Sequence, residues 1–228
     1  MGELVSFPTN GHETDGYLAV PVGGSGPGVV VIQEWWGLVP HIRDVCDRFA
    51  AAGFVALAPD LYHGESTTEP DEAGKLMMAL NLDQAVKDMS GAVDHLRSLD
   101  AVTSDQVGVV GFCMGGGLAL ALACARPDAI GAAVPYYGVI PWPNLQPDWS
   151  RIDCAILGHF AEQDAMFGPD QVRQLEERLR EHGKAAELII HPGVDHAFFN
   201  DTRPEVHDPE MSAQTWEQTT VFLRENLA

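Results

Sequence analysis

The chain has 228 residues, long enough for one α/β domain with a large core and short for two. Its 33 acidic side chains against 13 Lys and Arg leave a formal charge of −20, which argues against nucleic-acid binding and against anionic membranes. The apolar fraction is 46%, ordinary for a soluble globular protein, and no apolar run approaches the ~20 residues of a membrane span.

In chain order, Leu4 to Phe7 and Tyr17 to Val20 are short strand candidates, separated by turn residues at Thr9-Asn10-Gly11 and Asp15-Gly16; they read as an antiparallel pair at one sheet edge. Gly28 to Gln33 is a near-continuous apolar run, as expected of a strand covered on both faces. Pro40 to Ala52 repeats apolar positions at helical spacing and is stopped by Gly53. Phe54 to Ala58 is the next buried strand. Tyr62 to Leu80 reads as a polar loop with a short helix, and Leu82 to Leu99 as an amphipathic helix. After Val107 to Phe112, a buried strand, come strands at Ala132 to Tyr137, Ala155 to Phe160 and Glu187 to His191. Helices are predicted at Leu118 to Ala125, Pro169 to Glu181 and Met211 to Leu227. Strands alternating with helices imply an α/β fold with a mostly parallel sheet, helices on both faces, right-handed crossovers and a ligand crevice at the carboxyl ends of the strands.

The central stretch is Val107 to Gly117, VGVVGFCMGGG. A strand, a sharp turn through Gly111-Phe112-Cys113-Met114-Gly115 and a following helix form the pattern of a nucleophile elbow, G-x-S-x-G, with cysteine in the serine position. The bland alternative is a Gly-rich strand-to-helix turn with a buried structural cysteine. A helix N-terminus aimed at Cys113 would favour a thiolate and a developing oxyanion. A nucleophile needs a base and an orienter, and both are found past strand ends. Asp164 follows the strand ending at Phe160, with Glu162 as a rival acid; His196 follows the last strand. The order Cys113, Asp164, His196 matches the nucleophile, acid, histidine order of α/β-hydrolases, with Asp164 holding the His196 tautomer. His191, inside the strand end, reads as structural. The other cysteines, Cys46, Cys124 and Cys154, read as packed thiols.

These residues, together with Gln33-Glu34-Trp35-Trp36-Gly37, Ala58-Pro59-Asp60-Leu61-Tyr62 and Val194-Asp195-His196-Ala197-Phe198, resemble the dienelactone hydrolase (carboxymethylenebutenolidase) family of the α/β-hydrolase superfamily over nearly the whole chain, 1–228, as one domain. The resemblance implies a cysteine-dependent hydrolase of lactones or enol esters. It implies that Glu34 contacts the thiol and takes part in its activation. It also implies an oxyanion hole made by the backbone N–H groups of Met114 and Trp35. The chain departs from the family's pattern at the arginines that bind a substrate carboxylate: Phe198-Phe199-Asn200 fills the region after the histidine, Arg203 comes later, and only Lys75 is cationic in the helix after Tyr62. A larger or neutral ester is therefore an alternative substrate. Trp35, Trp36, Tyr137, Trp142, Phe198 and Phe199 are candidates for an aromatic substrate pocket, or for core.

No metal or cofactor is expected, since His12, His41, His63 and His207 show no ligand spacing with the cysteines. The N-terminus, MGELVSFPTNGHETDG, lacks a basic region and a long apolar region, and no C-x-x-C pair occurs. Reduced thiols, a cytoplasmic setting and a monomer or weak homodimer are expected. A non-hydrolytic redox-sensing thiol protein is the competing function; it would need a resolving cysteine, and Cys124 is buried by pattern.

Overall fold

The structure is a computed structural model that describes residues 2–9 and 11–227; Asn10, in the first predicted turn, lies outside them. One eight-stranded sheet runs through the molecule in the order β1-β2-β4-β3-β5-β6-β7-β8. Strands β1 (Glu3–Thr9) and β2 (His12–Ala19) form the expected antiparallel edge pair, longer at their facing ends than the apolar pattern indicates. The rest is parallel: β3 (Gly28–Ile32), β4 (Val55–Pro59), β5 (Val107–Phe112), β6 (Ile130–Tyr136), β7 (Ala155–Ala161) and β8 (Glu187–His191). In β3 to β6 every residue is buried, which is why these strands read as runs of Val, Ile and Ala without alternation.

Helices α1 (Pro40–Ala51) and α6 (Pro209–Asn226) share one face, where the Phe49 and Trp216 rings lie 4.5 Å apart. Helices α3 (Leu82–Ser98) and α4 (Met114–Ala125) pack together on the other, and α5 (Pro169–Glu181) covers β7 and β8. Helix α5 is rich in charged and polar side chains and buries one stripe, Val172, Leu175 and Leu179. Helix α4, by contrast, is buried from Met114 to Cys124 all round, so it carries no polar face. The polar segment after Tyr62 contains the short helix α2 (Pro70–Ala79). Among the described residues, no helix is long and apolar enough to cross a membrane.

The topology places the crevice. The chain leaves β3 toward β4 on one side and leaves β5 toward β6 on the other, although β3 and β5 are neighbours. The loops after β3 and β5 therefore diverge and leave an opening above their carboxyl ends. Ile32 pairs with Gly111, so Glu34 and Cys113 each stand two residues past a matched pair.

Candidate active site

Helix α4 begins earlier than the glycine pattern suggests: the turn is confined to Cys113, and Gly115, Gly116 and Gly117 are already helical. Compression into a single residue puts Cys113 at φ 54°, ψ −118°, a conformation L-residues rarely hold. Two close approaches keep it there. A Cβ on Gly115 would lie 2.5 Å from the Ile32 carbonyl oxygen, and one on Gly138 would lie 1.8 Å from that of Cys113. Tyr137 (φ 34°) and Ala197 (φ 64°) are strained in the same sense, so the backbone is distorted in three segments that meet around the thiol. The N–H of Met114, the first residue of α4, belongs to the first turn, whose N–H groups have no partner within the helix.

Past β7, Asp164 is buried and its carboxylate is fully used. Oδ1 accepts the N–H groups of Met166 (2.7 Å) and Phe167 (2.9 Å), and Oδ2 lies 2.7 Å from Nδ1 of His196. Burial would raise the Asp164 carboxyl, but the His196 contact and these two N–H donors outweigh it and hold it below the ordinary carboxylate value. His196 shows the reciprocal effect. Burial disfavours the imidazolium, yet the hydrogen bonds and charges of Asp164 and Cys113 win, and the ring is pushed up to about 10. This favours the protonated ring at neutral pH, with Asp164 bound at Nδ1 and Cys113 as the other group acting on it. Tyr137 packs edge-on against it at 5.2 Å and Phe167 at 5.9 Å.

Glu162, the rival acid, has a different task. Its Oε2 accepts the N–H of Gly193 at 2.9 Å and so ties down the loop that carries His196.

Glu34 is buried, only 1% exposed, at the end of β3. Its Oε2 accepts a hydrogen bond from Asn200 Nδ2 at 2.6 Å. The preceding Gln33 turns its Oε1 to the N–H of Leu61 at 3.2 Å, joining the ends of β3 and β4. Tyr137, fully buried with no hydrogen-bond partner for its hydroxyl, is raised far above the usual phenol value, first by burial and then by the charges of Glu34 and Cys113.

The dienelactone hydrolase family profile matches residues 14–227. The chain belongs to the dienelactone hydrolase family. It is accordingly a hydrolase of ester or lactone bonds on an α/β-hydrolase fold. Protein usf of Aquifex pyrophilus is 39% identical over 233 residues and covers all of both chains. A relative from Aquifex aeolicus named "Putative carboxymethylenebutenolidase" is 35% identical, over 98% of each chain. Among solved structures, a "Putative Dienelactone Hydrolase" from Klebsiella pneumoniae aligns with a TM-score of 0.88 at 27% identity, over 98% of each chain.

Within this family fold the sequence-predicted residues divide. Cys113, Asp164, His196, Glu34, Met114 and Tyr137 come together above the ends of β3, β5, β6, β7 and β8. Trp35 and Trp36 follow Glu34 and are half-buried, their rings 5.0 Å apart. Arg203 lies over the Trp36 ring at 5.9 Å, but its Nε is turned to Glu205 at 2.9 Å. A cavity of about 470 Å³ beside Trp36 is also lined by His41, Asn200 and Arg203. Lys75 pairs with Glu72 on the exposed face of α2. Phe199 packs in the core against Phe112, Tyr136 and Trp216, and Phe198 against Tyr137, His191 and Tyr136. Trp142 is buried in the connection after β6.

Sequence reasoning missed three residues: Asn200, Phe167 against His196, and Tyr62, whose hydroxyl donates to Met114 Sδ at 3.3 Å. Only Asn200 had a visible signal, a lone polar residue closing an aromatic pair.

Proposed function

We propose that this chain, as one catalytic unit over residues 1–228, hydrolyses lactones or enol esters by thiolate attack from Cys113. The observation that carries this reading is the contact of Asp164 Oδ2 with His196 Nδ1 at 2.7 Å beside Cys113, an arrangement that raises the His196 pKa and favours its protonated ring. An imidazolium cannot take a proton from a thiol but does stabilise the thiolate. The thiol proton then needs a second acceptor, and Glu34, the buried carboxylate at the neighbouring strand end, supplies it. The thiolate attacks the carbonyl carbon. The carbonyl oxygen, now an oxyanion, takes hydrogen bonds from the Met114 and Trp35 N–H groups. Collapse of the tetrahedral intermediate breaks the bond to the leaving oxygen, which takes a proton from His196. His196, held by Asp164, then accepts a proton from the water that cleaves the thioester, and the released Cys113 thiolate recovers its proton from Glu34.

The placement of the cations favours a neutral ester over a carboxylated lactone. Arg203 is engaged with Glu205 and Lys75 with Glu72, which leaves neither aimed at a substrate carboxylate. The four cysteines are free thiols, in keeping with a reducing, cytoplasmic setting, and a monomer or weak homodimer is the form we expect.

The test is turnover of dienelactone beside p-nitrophenyl acetate and butyrate by wild type and Cys113→Ala. Hydrolysis of any of the three that disappears in the variant supports the thiol mechanism, and the preferred substrate decides between carboxylated lactone and neutral ester. No hydrolysis, with rapid peroxide oxidation of Cys113 instead, supports the redox-sensing alternative.

A further inference from the structure

We infer that Asn200 is a positioning residue that divides the two oxygens of Glu34, holding Oε2 and leaving Oε1 to exchange the proton of Cys113. The inference rests on the reading of Cys113 and Glu34 given above. Asn200 is 2% exposed, so its amide cannot turn to water. Its orientation is settled by Thr202, whose backbone N–H and hydroxyl both donate to Asn200 Oδ1, at 3.1 Å and 2.6 Å. An amide oxygen accepting two donors must be the oxygen, so the NH₂ group faces Glu34. That group only donates, so Glu34 Oε2, 2.6 Å away, must be an acceptor. A hydroxyl oxygen is a weaker acceptor than a carbonyl oxygen, so this bond favours Oε1 as the place for any proton that Glu34 gains.

The surroundings fit this role. The Asn200 N–H donates to the Ala197 carbonyl at 2.9 Å and its carbonyl accepts from Arg203 at 3.1 Å, so the amide sits in a hydrogen-bonded turn. It is also neutral. A guanidinium in its place would pin Glu34 in the ionised form; an amide fixes the direction of the carboxylate while leaving it free to accept a proton. The contact joins the end of β3 to the loop beyond β8, so the acceptor for the thiol proton and the histidine loop move as one.

A double-mutant cycle with the full chain tests this, with two readouts: the rate of Cys113 alkylation by iodoacetamide as a function of pH, and kcat and KM for p-nitrophenyl acetate. Asn200→Ala is expected to lower kcat and neutral-pH alkylation about tenfold with KM little changed, and to cost less than about twofold when Glu34→Gln is already present. Asn200→Asp is expected to be worse than Asn200→Ala near pH 7, where two carboxylates face each other, and to recover toward pH 5, where they share one proton. Thr202→Val, at the surface and therefore harmless to folding, is expected to cost about two- to fivefold, again only when Glu34 is present. The inference is overturned if Asn200→Ala or Thr202→Val costs the same factor with and without Glu34, or if the loss lies in KM with alkylation unchanged. Should wild type hydrolyse no ester, the proposed function fails, while the alkylation cycle still decides the role of Asn200.

Discussion

Two polar networks sit on the same pair of strands and treat their histidines in opposite ways. Above the strand ends, His196 meets a carboxylate and a thiol, which favour the imidazolium and push its pKa up to about 10. Within the sheet, five residues earlier, His191 lies with its Nε2 3.0 Å from Nδ1 of His159; His159 Nε2 reaches Thr219 Oγ1 at 3.3 Å, and Thr219 meets the Tyr136 hydroxyl at 2.7 Å. This second chain contains no carboxylate. Burial, then the neighbouring His191, push His159 down to about 3, and burial lowers His191 as well. Both sites are buried, so desolvation is common to them; what separates them is the pair Asp164 and Cys113, which acts on His196 and has no counterpart beside His159 and His191.

The largest way to test the contrast is to remove what His196 serves. On the proposed mechanism, Cys113→Ala is expected to lower ester hydrolysis by at least about 10³-fold while the circular dichroism spectrum stays that of the wild type, because the substitution removes the proposed nucleophile and only one buried heavy atom.

Next, Asp164→Asn makes His196 resemble His191. The ring pKa, followed by NMR titration, is expected to fall from about 10 toward or below the ordinary value of 6.5. In the wild type, a raised histidine pKa contributes stability that is complete below 6.5 and is lost as pH rises through about 10. The variant should lack that alkaline loss, and kcat should drop about 10²- to 10⁴-fold. A ring pKa that stays near 10 would show that Asp164 is not what charges His196.

The neutral network predicts the opposite limb. His159 has a lowered pKa, so the unfolded chain takes up a proton near 6.5 that the folded chain refuses until about 3. Stability is therefore lost as pH falls through that window, by up to about 1.4 kcal/mol per pH unit from this group. His159→Gln should flatten that acid limb in urea titrations and leave the pH dependence of hydrolysis unchanged; an unaltered slope would count against the neutral assignment. The smallest effect is expected for Thr219→Val, which removes a link between His159 and Tyr136 but leaves the Tyr136 hydroxyl its bond to the Thr215 carbonyl at 3.0 Å. A loss of about 1 kcal/mol, or about 2–4 °C in Tm, is expected by calorimetry, with no change in kcat.

How far each site could be read beforehand follows from the range of its interactions. The elbow was legible because a buried parallel strand demands an unbroken apolar run and the turn beyond it demands small residues; both demands are local. Asp164 and His196 were legible by order alone, each a few positions past a strand. The start of α4 at Met114 was misread because glycine is a poor helix former by propensity. At Gly115 the pull toward a loop is overridden by contact with the end of β3, a tertiary effect.

The α/β fold, the parallel sheet, the Cys113 turn and the chain order of the candidate triad are properties of the sequence, since strand burial and turn geometry act over a few residues. The charge on His196, the neutrality of His191, the partition of Glu34 by Asn200 and the packing of Phe199 into the core are decisions of the tertiary structure. Each depends on which groups from distant segments share one dry space. Asn200 and Glu34 lie 166 residues apart in the chain, and in a low-dielectric interior the nearest partner, rather than the residue type, sets where a proton or a charge resides.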